Sequence, residues 1–495
     1  MVITRFAPSP TGDPHIGNIR TALFAWLFAR SNAGKFYVRI EDTDKTREVP
    51  GSVETILESL EWLGIDYDSI QNSQFSIQNE NSKFKNVYFQ SHRLAVYKQY
   101  AEDLVKRGGA YVCACSPKRL QKLREQQQKE GKASMYDGHC RQIENSKFLI
   151  QNSVIRLKVS RDESTVFNDL IRGTVTFENN LIDDQVLIKS DGYPTYHLAN
   201  VVDDHEMGIT HVVRGEDWLP STPKHILLYR FFGWDIPLFA HLPMILGKDK
   251  AKLSKRHGAV SVLEYKSQGY LKEALRNYLA LLGWNPGDDR EIFSNEELVK
   301  QFSLERVQKS PAIFDNEKLE WINGIYIRDM AKRNPDELIR RLSEYIAMNQ
   351  NKSPLFPKNQ QQKITPQVLN LVADRLKKLS EFLPLTQCIY QLSNYDSSLL
   401  IFKNSSSKKA QEALTHSLEL LRTIPTLQFT EDRLQHYFNH LIAQQGCTVG
   451  EVLHPLRVAV TGLRNSPGPF ETMAVLKKKE TVSRVKVALE KIGNL

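Results

Sequence analysis

The sequence has no uninterrupted apolar run of the roughly 18 residues that a bilayer span requires, in a chain of 495 residues. Its opening, MVITRFAPSP, has no apolar core of the signal-peptide kind, so the chain is expected to be cytoplasmic, with no membrane partner. Cysteine is scarce. Five residues are too few for a disulfide scaffold in this length, and three of them crowd at Cys113, Cys115 and Cys140, a grouping that suits metal better than a disulfide. Cys388 and Cys447 stand alone and read as small buried hydrophobes. The first 325 residues also lack any charge excess, with 42 basic and 42 acidic side chains. The net charge of +9 therefore belongs to the part from Tyr326 onward, where 24 basic residues meet 15 acidic ones. Such a surplus is either a solvated helical surface or a place where the phosphates of a polyanion are held.

What is present is ordinary for a globular chain, 41% hydrophobic and 25% charged, and at about 150 residues per domain the length implies about three domains. Two stretches depart from this. Residues 69–86 are rich in Asn, Gln and Ser and repeat themselves, with SIQN at Ser69 and Ser76 and ENSKF at Glu80 that recurs at Glu144. Polar, repetitive sequence buries little apolar surface, so 69–86 and 144–153 read as loop insertions. Residues 349–362 read as a polar linker.

The most informative run is RFAPSPTGDPHIGN, Arg5 to Asn18. A short strand over 2–6 is cut by Pro8 and Pro10, loops through Gly12 and Pro14, and gives way to helical spacing over 19–30. In an open α/β sheet that junction is where nucleotides bind, because free backbone N–H groups and the helix dipole favour phosphate. His15 there would donate a hydrogen bond to a phosphate oxygen, and Gly17 would let an adenine or ribose approach the backbone. Alone, each is an ordinary loop residue. A second segment changes that reading: KLSKR, Lys252 to Arg256, bracketed by Gly247 and Gly258 as a movable basic loop.

Together HIGN and KLSKR resemble the HIGH-type and KMSKS-type signatures of class I aminoacyl-tRNA synthetases. RFAPSPTG before the first, and RIEDTD at Arg39 to Asp44, resemble the bacterial-type glutamyl-tRNA synthetases in particular. The resemblance implies a multidomain α/β plus all-α chain: a Rossmann-like parallel-sheet catalytic domain split by an acceptor-stem-binding insert, then an all-helical anticodon-binding region. Its segments are 1–110 and 185–258 for the two catalytic halves, 111–184 for the insert, 259–325 for a stem-contact domain and 326–495 for the anticodon-binding part. The sequence agrees in outline. Strands are expected over 154–159, 175–178 and 186–189, residues 193–204 return the chain to the sheet, and helices fill 335–345, 366–379, 408–421, 431–444, 449–459 and 482–492. The β-barrels of related glutaminyl enzymes are not expected.

The implied reaction attaches L-glutamate to tRNA(Glu), with tRNA(Gln) as a further candidate, through a glutamyl-adenylate made from ATP with Mg²⁺. Attack of a carboxylate on the α-phosphorus needs no protein nucleophile, only positioning and cations. By resemblance, His15, Gly17, Lys252 and Lys255 carry catalysis, and Ser9 joins them in holding ATP. Glutamate would lie among Arg5, Ser9, Glu41, Tyr196, Asn200 and Arg214. Glu41 takes the ammonium, Arg5 with Tyr196 and Asn200 the side-chain carboxylate and Arg214 the α-carboxylate, the last two being exchangeable. Each of these residues is expected at a strand end or its adjacent turn.

A C-x-C thiolate pair and a third cysteine across a helical hairpin can hold a structural Zn²⁺. In zinc-bearing relatives a histidine or tyrosine is the fourth ligand. Gln142 stands where some carry histidine, which leaves Tyr136 or His139, and Tyr136 is preferred because Tyr-x-x-x-Cys occurs as a ligand pair in this group. Arg375 lies where some relatives read an anticodon base, and the chain is expected to act as a monomer. The competing readings are a shorter paralogue that glutamylates a tRNA base, a glutaminyl enzyme, a small-molecule nucleotidyltransferase and a tRNA-binding protein without catalysis.

Overall fold

The computed structural model describes residues 1–70, 85–142, 153–253, 261–349 and 364–493. Most of the polar stretches 69–86 and 144–153, nearly all of the 349–362 linker, and Lys255 with the rest of 254–260 lie outside the described residues. The chain divides into two units, Met1–Lys266 with Lys272–Asn316, and Ser267–Leu271 with Glu317–Leu495.

The first unit is built on short apolar strands. β1 (Ile3–Phe6) pairs in parallel with β2 (Lys35–Ile40), and β2 with β3 (Val87–Phe89). Helix Ile16–Ser31 connects β1 to β2. It is apolar almost all round, and Ile19, Leu23, Phe24 and Leu27 are fully buried, as expected of a crossover helix packed on several sides. A mixed sheet runs in the order β7-β6-β10-β9: β6 (Ser164–Asp169) and β7 (Gly173–Glu178) form a hairpin whose first strand lies parallel to β10 (Leu238–Leu242), which pairs in turn with β9 (His211–Gly215). The N–H of Thr210, just before β9, donates to the Ile3 carbonyl at 3.0 Å, so β9 begins beside β1. Sites in such sheets lie at the carboxyl ends of the strands.

The intervening segment folds as an antiparallel sheet of β4 (Ala110–Cys113), β5 (Val154–Leu157) and β8 (Val186–Ile188). The hairpin β6–β7, within the same segment 111–184, pairs with β10 in the mixed sheet. Residues 193–204 require a correction. They do not return as a strand, because Tyr196–Glu206 is an α-helix. Leu198, Ala199, Val201 and Val202 are buried, and so are the polar Asn200, Asp203 and Asp204. The helix has an apolar and a polar side, and both are buried.

The second unit is helical, from Asn316–Arg333 through Pro335–Asn349, Ser407–Thr423, Glu431–Gln445 and Val449–Thr461 to Pro469–Gly493. Leu414, Leu421, Leu434, Phe438, Leu456 and Val485 form its core. The single helix expected over 366–379 stops at Asn370, and two 3₁₀ turns precede helix Phe382–Tyr390. The Glu381 carboxylate accepts from the Lys377 N–H at 2.7 Å and starts a new turn there. Cys388 is buried as expected. Cys447 is not: it is exposed in the connection after Gly446. Among the described residues no helix is long and apolar enough to cross a membrane.

Candidate active site

The loop after β1 is held from below. Its prolines have no N–H to offer, but their carbonyls accept: Pro8 from the Glu41 N–H and Pro10 from the Val49 N–H, both at 2.9 Å. Gly12 adopts φ +132°, a conformation that side chains disfavour, and its N–H donates to Ser52 Oγ at 2.7 Å. His15 then caps the helix. Its Nδ1 accepts from the Gly17 N–H at 3.2 Å, so the proton resides on Nε2, which donates to the Leu253 carbonyl at 3.1 Å. Burial pushes the His15 pKa down, against the pull of the Leu253 carbonyl and with help from Lys252, and the ring is neutral. The free phosphate donor expected at His15 is therefore engaged by Leu253 in this conformation.

Beneath the loop lies a network of buried carboxylates and guanidinium groups. Arg5 on β1 donates to both oxygens of Asp204, Nε to Oδ1 at 3.0 Å and Nη2 to Oδ2 at 3.2 Å. Arg39 on β2 donates to Asp204 Oδ1 at 2.7 Å and to Glu41 Oε1 at 3.3 Å. Asn200 Nδ2 reaches the same Glu41 oxygen at 3.2 Å. Asp203 is held by Arg93 at 3.0 Å and by Gln90 and Tyr97 at 2.8 Å each. Burial pushes the Glu41 carboxyl above its ordinary value, against Arg39 and Asn200. For Asp204 burial acts in the same sense, but Arg5 and Arg39 outweigh it and hold the carboxyl below the usual range. None of these contacts to Asp203, Asp204 or Arg39 was anticipated. The available signal was two adjacent acids three and four residues after Asn200, on the same helical face.

Arg214, one position from the end of β9, has different surroundings. Its Nε donates to His241 Nε2 at 3.1 Å, Nη1 to the Tyr196 hydroxyl and to His225 Nδ1 at 3.2 Å each, and Nη2 to Thr222 Oγ1 at 2.8 Å. Among the described residues no carboxylate lies within ion-pair distance of it. Burial pushes its pKa down. Trp218 packs on Tyr196 with ring centroids 4.2 Å apart.

Arg5, Ser9, His15, Gly17, Glu41, Tyr196, Asn200, Arg214 and Lys252 all line one cavity of about 530 Å³, within the range of small-molecule sites. Glu41, Ser9 and Arg214 lie at strand ends or turns as expected, whereas Tyr196 and Asn200 lie on the helix. Lys252 is exposed and paired with Asp217 at 2.7 Å. Arg375 belongs to the second unit and is exposed in the 3₁₀ turn Ala373–Arg375.

At the other cluster, the sulfurs of Cys113, Cys115 and Cys140 lie within 4.8 Å of one another. The Tyr136 hydroxyl is 3.4 Å from Cys113 Sγ and 3.2 Å from Cys115 Sγ. His139 is exposed. Of the two candidates for a fourth ligand, the fold therefore brings Tyr136 to the thiols.

Residues 1–321 match the family described as tRNA synthetases class I (E and Q), catalytic domain, and residues 337–489 match an anticodon binding domain. A glutamate–tRNA ligase of Dehalococcoides mccartyi is 45% identical over 100% of this chain and 98% of its own length. One from Thermodesulfovibrio yellowstonii is 41% identical over 99% of this chain and 100% of its own. The crystal structure of a glutamate tRNA ligase from Elizabethkingia meningosepticum, in complex with its amino acid, superposes with a TM-score of 0.85 at 34% identity, covering 99% of both chains. With matches to both halves and full-length relatives, the chain belongs to the class I tRNA synthetases of the E and Q group, and within them to the glutamate–tRNA ligases.

Proposed function

We propose that the cavity joins L-glutamate to ATP, with glutamyl-adenylate and pyrophosphate as products, and that the glutamyl group then passes to a terminal ribose hydroxyl of tRNA(Glu), releasing AMP. Attachment of glutamate to tRNA follows from family membership. The observation that supports the adenylate route is Arg214, a buried cation whose hydrogen-bond partners among the described residues are all neutral acceptors. An anionic ligand would remove the cost of leaving that charge unpaired. An α-carboxylate oxygen attacks the α-phosphorus and the pyrophosphate oxygen departs with the electron pair. Glu41 takes the ammonium. Arg5, with Tyr196 and Asn200, and Arg214 divide the two carboxylates, and because Asp204 already engages two nitrogens of Arg5, Arg214 makes the stronger charge-assisted contact. With Arg214 on the side-chain carboxylate, an amide there would leave that guanidinium without an anion, which separates glutamate from glutamine.

Ser9, His15 and Gly17 at the helix start, with Lys252 and Lys255, hold the ATP phosphates together with the Mg²⁺ that arrives with them. Lys255→Ala is expected to lower the maximal rate far more than it alters glutamate affinity. Pyrophosphate exchange with glutamate, run with and without total tRNA, tests the whole reading; exchange that does not depend on glutamate would overturn it.

Cys113, Cys115, Cys140 and Tyr136 fit a structural Zn²⁺: three thiols and a phenol converge at one point, and the hydroxyl also accepts from the Cys140 N–H at 3.0 Å. Metal analysis of protein purified without chelator is expected to give one equivalent. In the same proposal 111–184 is the acceptor-stem insert, 259–325 the stem contact, Arg375 an anticodon contact and the enzyme a cytoplasmic monomer. Charging of separated tRNA(Glu) and tRNA(Gln) decides whether the second is a substrate.

A further inference from the structure

Behind Arg214 lies a second chain of contacts that no part of the catalytic reading uses. Arg214 on β9 and His241 on β10 are direct cross-strand partners, and Asp169 ends the next strand, β6. His241 and Asp169 are both wholly buried, with Nδ1 2.6 Å from Asp169 Oδ2. The remaining positions of that carboxylate are occupied by donors: Oδ1 accepts from the N–H groups of Ile171 at 3.0 Å and Arg172 at 2.8 Å, and Oδ2 also accepts from the His241 N–H at 3.1 Å.

This arrangement determines the imidazole tautomer. A carboxylate already accepting three backbone N–H groups can only accept again, so His241 Nδ1 carries the hydrogen. Its Nε2 must then be a lone pair, because Arg214 Nε is a donor 3.1 Å away. An imidazolium would set two like charges and two donors against each other, and burial together with Arg214 opposes that form. His225 follows the same logic on the other side: Nδ1 accepts from Arg214, and Nε2 donates to His197 Nδ1 at 3.1 Å.

We propose that Asp169 and His241 are positioning residues for Arg214: the carboxylate locks the ring so that its lone pair orients the guanidinium, while the ring keeps that carboxylate out of contact with the cation. A carboxylate placed directly on Arg214 would orient it equally well but would neutralise it, as Asp204 does for Arg5. An imidazole between the two supplies the orientation and leaves the charge for the ligand. The inference rests on the reading that Arg214 meets a glutamate carboxylate.

The test measures KM for glutamate and for ATP in aminoacylation of total tRNA. In Asp169→Asn the amide must either abandon two backbone N–H groups or turn a donor toward His241, which moves the ring proton to Nε2, against Arg214. Glutamate KM is expected to rise at least about tenfold, a loss of about 1.4 kcal/mol, with ATP KM within about twofold of the parent. His241→Gln, whose amide oxygen can still accept from Arg214, is expected to retain more glutamate affinity than His241→Leu, which offers no acceptor. A glutamate KM unchanged in Asp169→Asn, equal rises for both substrates, or identical behaviour of the two His241 variants would overturn the proposal. Should Asp169→Asn not fold, the His241 pair decides. Arg214→Gln separates the two levels. If it leaves glutamate KM unchanged the pocket reading itself fails, and if it raises KM while the relay variants do not, only the relay fails.

Discussion

Two buried arginines face the same cavity, and their surroundings differ. Arg5 is matched by a bidentate carboxylate, in a network that also includes Arg39, Asp203 and Glu41. Arg214, equally buried, is matched by a tyrosine, a threonine and two neutral histidines. A charge taken from water is costly unless it is paired, so the first arrangement is self-sufficient and the second, on the proposed reading, is completed by a glutamate carboxylate. Removing a partner from the first region should therefore damage the fold, and removing the cation from the second should damage binding.

The largest effect is expected at the paired region. Asp204→Asn leaves Arg5 and Arg39 buried without their shared carboxylate and should cost about 3–5 kcal/mol of stability, read from thermal or urea unfolding. A loss below about 1 kcal/mol would erase the distinction between the two arginines. Next, Arg214→Gln should raise glutamate KM about a hundredfold, or about 2.7 kcal/mol, with the unfolding midpoint unchanged or higher, since an unpaired buried charge has gone. A marked loss of stability would place Arg214 with Arg5.

Lys252→Ala concerns a third cation, exposed and paired only at the surface with Asp217. Its removal should leave stability unchanged while reducing the pyrophosphate-exchange rate about tenfold; an equal loss from Asp217→Asn would assign the effect to the ion pair instead. The smallest effect is on pH dependence. Because Asp204 titrates below its ordinary 3.8 when folded, its pairing contributes stability above that pH and loses it as pH falls through the folded value. Glu41 and Asp203, raised by burial, contribute in the opposite sense. Acid unfolding of the parent should include a component below pH 3.8 that is missing from Asp204→Asn.

Much of the site was legible in the sequence because its residues sit in contiguous segments with local signatures. The loop after β1 announces itself by three prolines and Gly12, and the helix that follows by its apolar content. The partners of those residues were not legible. Asp204 meets Arg5 across 199 positions, and Asp169 meets His241 across 72, distances over which no local period operates. Helix Tyr196–Glu206 was legible in principle, since Asn200, Asp203 and Asp204 share one helical face, but burial of that polar face is set by distant arginines and has no local signal. Arg214 could be placed near the ligand by resemblance, but its neutral hydrogen-bond partners are a property of three strands and two helices, Tyr196–Glu206 and Thr222–Phe232, meeting.

The capping histidine has one further consequence. His15 possesses a single ring hydrogen, and the carbonyl of Leu253 already holds it. A phosphate oxygen can receive that hydrogen at full strength only as the carbonyl gives it up, and Leu253 follows Lys252 directly in the chain. On the proposed reading of His15, a nucleotide phosphate and the Leu253 carbonyl compete for that one hydrogen, so binding of the phosphate would release the carbonyl beside Lys252.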